Sequence, residues 1–320
     1  MFCVRYMFTL GLIGPGPNAS VLTTALFVSA FCLSIPAVLL IFDPNKYRTG
    51  LIGCAAFFCA VGLLMLSFPA YVPLWIPGIL LALGSGILTS VFLHLFAYSL
   101  ERRGQLLAIT AFLAAKPLFS FLALTFSNHL RRDWYLAAAG LVLAGIVACG
   151  LSIEQKTVSE KPAAVHLSAT KMLWIYMLFV LVILERMNGV FKLYGGHNAS
   201  SFNYDMYFIG CLIAAILSWW LFVYKKLSPV YSFIAFAAAS ILHFALSIAS
   251  ASGVLACADL DMLFFGIADI VYVFLFVTAA KLSVSQKSRG IFIGFVCVFG
   301  LALFAGFGVS HLLFTLFKDT

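Results

Sequence analysis

The chain has 320 residues, of which 64% are hydrophobic and only 9% charged, with a mean hydropathy of +1.11 and a net charge of +8. Soluble domains carry roughly 25% charged residues, so this chain cannot cover a water-facing surface and lipid must be its solvent. The basic excess does not imply a nucleic-acid partner, because Lys and Arg fall in short loops between apolar runs, where they set orientation.

The opening stretch MFCVRYMFTLGLIG is too short to span and stops at GPGPN. It is also a poor signal peptide, with one Arg and no convincing cleavage site. Ten apolar runs of about 20 residues follow, the length needed to cross a bilayer. They are predicted at 20–42, 50–68, 73–99, 105–127, 134–153, 171–188, 206–224, 229–250, 262–281 and 290–317. The breaks between them carry Pro, charges or turn formers, as in DPNKYRT, ERRG, NHLRRD and SVSQKSR. The longest polar stretch, 154–170, contains Pro162 and reads as a linker between bundles at 1–153 and 171–320.

Twelve Lys and Arg residues collect on one side of this layout, including Lys46, Arg48, Arg102, Arg103, Lys225, Lys226 and Arg289. Six collect on the other, and Lys116 lies within a span. The richer side, with the linker, is expected to be cytoplasmic in a multi-pass cell-membrane protein. The eight cysteines form no CxxC pair and have no His around them in a metal-like cluster, so neither a metal nor a cofactor is expected.

The halves align through their loops. Arg103-Gly104 in SLERRGQLLAITAF and Arg289-Gly290 in SVSQKSRGIFIGFV lie 186 residues apart, each at the mouth of an apolar run. The basic loops at Lys46 and Lys225 lie 179 apart. The first run then pairs with the seventh and the fourth with the tenth. A repeat six helices long keeps both copies in one orientation. Two such units need twelve helices, so one outer helix is expected to be missing at each end, and lipid, a partner helix or a second copy of the chain would have to cover the faces left open.

On these loops the chain resembles the major facilitator superfamily, in which a charged, Arg-Gly-bearing loop follows the fourth helix and recurs in the second half. The usual Gly-x-x-x-Asp-Arg-x-Gly-Arg-Arg loop is reduced here to FDPNKYRTG, and Lys116-Pro117 occupies the helix where drug antiporters carry a glycine-rich signature. The loss of transporter motifs and the aromatic-rich helices also resemble the membrane domain of some LuxR-type regulators, without the helix-turn-helix. A ten-helix drug/metabolite carrier is a third resemblance, in AITAFLAAKPLFSFLALTF and the run after it. The basic charge on its first and third loops counts against that one.

Ionisable groups inside apolar runs are expensive and mark candidate sites. Asp269 sits in LFFGIADIVYVFLF with no basic neighbour within a turn. The resemblance places it on a cavity-lining helix, where it would bind a proton or substrate. The plainer reading is a partly hydrated or paired carboxylate. Lys116 precedes Pro117 in mid-span and is expected to pair with Asp269 or to stretch toward water. Glu185 and Arg186 end the sixth run and read as an external gate or as a helix-end interface pair. His94, His243 and His311 are single histidines in or near spans, each either a hydrogen-bonded structural residue or a proton switch, with His94 on the equivalent of a cavity helix. Trp219-Trp220 and Tyr224 mark an interfacial belt. No catalytic triad, HExxH or phosphate-cradling loop occurs, so no enzyme is expected.

The expected fold is all-α and polytopic, with about ten transmembrane helices in two pseudo-repeated bundles. The expected partners are the lipid bilayer and a small-molecule solute or signal, and no nucleic acid.

Overall fold

The computed structural model describes residues 17–66, 68, 72–73, 75–109, 111, 132–152, 177, 180–184, 204–227, 231–251, 256–285 and 289–309. Among them no strand occurs. The helices are α1 (Pro17–Ile41), α2 (Arg48–Leu66), α3 (Trp75–Ser99), α4 (Arg132–Ser152) and α5 (Tyr204–Ser218). They continue with α6 (Tyr231–Ala251), α7 (Ala256–Val271), α8 (Leu275–Ser285) and α9 (Arg289–Leu303). Residues 102–109 are helical as well. Among the described residues, five runs are long and apolar enough to cross a bilayer: Arg48–Leu66, Trp75–Ser99, Asp205–Tyr224, Tyr231–Ala249 and Arg289–Gly306. Their outward faces carry Leu64, Ile216 and Ile248, all more than half exposed, which only lipid can solvate. The chain is a multi-pass membrane protein.

The chain forms two compact units. One gathers Met1–Ser99, Leu122–Val158 and Val296–Thr320, and the other Leu100–Phe121 and Ser159–Phe295. In the first, α3 packs on both α1 and α2, and α2 also meets α4. Small residues let these helices close. A Cβ on Gly86 would collide with Ser34, and one on Gly84 would lie 2.8 Å from the Ala55 carbonyl. Apolar clusters fill the layers on either side, with Phe27, Leu66 and Leu81 in one and Ile52, Val91 and Leu95 in the other. Pro36 interrupts α1. A helical proline removes the hydrogen bond to the carbonyl four residues earlier, here that of Cys32. Gly300 of α9 lies against that carbonyl and the Pro36 ring, where an added Cβ would meet them at 3.1 and 3.0 Å.

In the second unit α7 packs on α5 and α6. The α5–α7 crossing rests on two glycines, since a Cβ on Gly210 would strike the Leu263 carbonyl and one on Gly266 the Tyr207 carbonyl. Cys211 donates through Sγ to the Gly266 carbonyl at 3.5 Å. Helix α5 widens into a π-helical segment at Trp219–Tyr224, and α9 does the same at Phe304–Val309.

The predicted spans 50–68, 73–99, 134–153 and 229–250 match α2, α3, α4 and α6 to within two residues at each end. Those at 105–127 and 171–188, and the linker 154–170, fall largely or wholly outside the described residues. The ninth span, predicted at 262–281, differs in two ways. Its helix begins six residues earlier, at Ala256, and it is broken by a 3-10 turn at Tyr272–Phe274 between α7 and α8.

Candidate functional site

Among the described residues each unit buries one histidine, and each of these has a polar partner. In the first unit the α1–α2 connection, FDPNKYRT, is a tight polar turn. The Asn45 amide N–H donates to Asp43 Oδ1 at 2.9 Å, the Asx geometry that this residue pair favours. The turn aims the Asn45 side chain at α3, where His94 is 2% exposed. His94 Nε2 lies 2.8 Å from Asn45 Oδ1, so the ring donates from Nε2, and the Tyr98 ring covers it at 4.7 Å. Arg48 donates from Nε to the Gly150 carbonyl at 2.9 Å and touches it again with its second guanidinium nitrogen, tying α2 to α4. Between these ties opens a polar cleft of about 340 Å³, lined by residues 45–50 and Leu151.

In the second unit the histidine meets a carboxylate. On α6, Ser232, Phe236, Ser240 and His243 recur at helical spacing and are all fully buried. On α7, Asp261, Phe265 and Ala268 form the matching stripe, at 3%, 6% and 0% exposure, while Asp259 and Leu260 face outward. His243 Nε2 lies 3.3 Å from Asp261 Oδ1. The Ser247 hydroxyl, one turn further along α6, donates to the same oxygen at 3.0 Å. Phe265 and Phe244 lie against the imidazole at 4.9 and 5.7 Å, and Tyr207 of α5 backs Phe265 at 5.5 Å. The result is a charge-bearing pair enclosed by rings inside an apolar helix layer.

The other sequence candidates fall differently. Asp269 lies on α7, two residues before its end, and its side chain is outside the described residues. Lys116, Glu185, Arg186 and His311 also lie outside the described residues. Arg103 and Gly104 occupy the first turn of the helix at 102–109, and Arg289 and Gly290 the first turn of α9. Asp261 was not foreseen. Together with Asp259 in ACADLDM it looks like the end of a polar loop, one residue before the run predicted at 262–281. The signal that would have found it is the i, i+4, i+7 spacing of Asp261, Phe265 and Ala268. Among the described residues no group of three His, Cys, Asp or Glu side chains could hold a metal ion.

No family model matches the chain, and no curated protein matches it in sequence. Its fold does match solved structures. One is the crystal structure of the fucose:proton symporter FucP of E. coli, which is 14% identical with a TM-score of 0.60, over 99% of this chain and 89% of that one. The chain is an all-α, multi-pass membrane protein whose fold is like that of this symporter.

Proposed function

We propose that the protein is a major-facilitator-type secondary transporter that carries a small solute across the cell membrane. The observation that carries this reading is the fold likeness to a solute:proton symporter along 99% of the chain. The apolar spans and the polar pairs buried within each unit support it, since a carrier needs polar groups in its bundle interior and lipid-compatible surfaces outside. In this reading the linker 154–170 stays in the cytoplasm. Asp269, Lys116, Glu185 and Arg186 remain proposed contributors to the solute path, with the Arg-Gly loops at Arg103 and Arg289 on the cytoplasmic side.

The test is a thermal-shift screen of the purified chain against small polar solutes, monosaccharides included, followed by uptake of any stabilising solute into vesicles. Uptake that saturates, and that an imposed proton gradient drives uphill, is the expected result. Saturable binding with no flux would replace the transport reading with that of a sensing domain. A screen in which no solute stabilises the protein or enters vesicles would overturn it.

A further inference from the structure

We infer that His243 and Asp261, bridged by Ser247, form a proton-binding site within the second unit, and that the proton belongs to the pair rather than to either residue. The proposal rests on the transport reading only in assigning the proton a use, as the coupling ion.

The argument begins with burial. His243 is 0% exposed on α6, one of the bilayer-length runs, and Asp261 is 3% exposed on α7, which packs on it, with Nε2 and Oδ1 3.3 Å apart. A buried ion pair is a poor device for stability. Desolvating both charges offsets their attraction, and apolar side chains of similar volume often serve as well or better. Ionisable groups kept at membrane depth therefore call for a functional reason. What this pair can do that Leu and Phe cannot is hold a proton. With one proton shared between imidazole and carboxylate, the pair has no net charge. Without it, a single negative charge remains among Phe244, Phe265 and Tyr207. Loading consists of a hydronium ion forming one N–H or O–H bond at the pair and leaving as water. Only the loaded form is electrically suited to a closed, apolar interior. The unloaded form needs water or a polar solute beside it. This is the property that makes a proton and a solute move together.

Among the described side chains of the helices packed on α7, α5 contributes Tyr207 and Cys211, and α6 contributes Ser240, His243 and Ser247. Asp205 on α5 and Asp259 on α7 are exposed and face away. Ser247 gives the carboxylate oxygen a neutral donor that stays in place through both states. The first unit supplies the contrast. There His94 meets an amide, Asn45, which takes up no proton.

The experiment is an infrared difference spectrum of the full chain in lipid vesicles, taken between mildly alkaline and mildly acidic buffer, for wild type, Asp261→Asn and Asp261→Glu. The wild type is expected to show a pH-dependent carboxyl band that is lost in Asp261→Asn and shifted in frequency in Asp261→Glu. The His94→Gln spectrum should match wild type. An unchanged spectrum in folded Asp261→Asn would overturn the site. Should that variant not fold, an unshifted band in Asp261→Glu does the same. The transport reading fails separately. A band that depends on Asp261 without solute flux leaves the site standing and removes its use. Proton-driven accumulation that persists in Asp261→Asn leaves transport standing and sinks the site.

Discussion

The two buried histidines have nearly the same exposure and opposite company. His94, 2% exposed on α3, bonds to the amide of Asn45 on a polar turn and packs against the tilted Tyr98 ring. His243, 0% exposed on α6, bonds within the helix layer to the carboxylate of Asp261. Burial alone therefore does not assign a role. The Asn45 amide itself takes up no proton. A charged partner makes a site whose energy depends on how many protons it holds.

The comparison can be broken most sharply at His243. His243→Leu removes the imidazole partner of the Asp261 carboxylate and is expected to lower stability by about 3–5 kcal/mol, as for other broken buried charge pairs. The apolar double variant His243→Leu with Asp261→Leu is expected to recover most of that loss. Thermal unfolding in detergent checks both, and a double variant as unstable as the single would contradict the pairing. Next comes Gly266→Ala, which drives a Cβ into the Tyr207 carbonyl where α7 crosses α5. About 1–3 kcal/mol is expected, as for other overpacked contacts. Denaturation midpoints would show it, and Gly294→Ala on α9, where an added Cβ meets nothing within 4 Å, serves as the control.

A smaller effect is expected in the first unit. Asn45→Ala removes a partner of His94 and should cost about 1 kcal/mol, the worth of one hydrogen bond. Asp261→Asn should alter the proton-linked infrared band while Asn45→Ala leaves it unchanged; equal effects would erase the distinction. The smallest is Ser247→Ala, about 0.5–1 kcal/mol by unfolding, because Asp261 Oδ1 keeps its imidazole partner.

Most of the helix layer was legible because hydropathy writes it plainly. Runs such as LIGCAAFFCAVGLLML can do little else than span, and the charges at Arg48, Glu101 and Lys225 mark where they stop. The contacts were less legible. His94 and Asn45 are 49 residues apart, and nothing in either run announces that a turn will deliver an amide to that ring. Asp261 was hidden by a boundary error. Two aspartates in three residues look like a loop until the helix is started at Ala256, when the periodicity separates an inward Asp261 from an outward Asp259. The Gly210–Gly266 crossing was missed because each glycine stands alone in its own helix and gains meaning only from the other. The π-helical widenings at Trp219 and Phe304 left no mark in composition at all.

The end of α5 has a consequence of a mechanical kind. Lys225 closes the π segment by donating its backbone N–H to the Trp220 carbonyl at 2.9 Å, and its ammonium lies 5.4 Å from the Trp220 ring and 5.6 Å from the Tyr224 ring. Two rings suited to the headgroup level are thus strapped to a charge that must stay wet. Sinking the segment would drown the ammonium, and lifting it would strip the rings of lipid. The strap works as a waterline mark on a hull, leaving α5 free to tilt about that level but not to plunge through it.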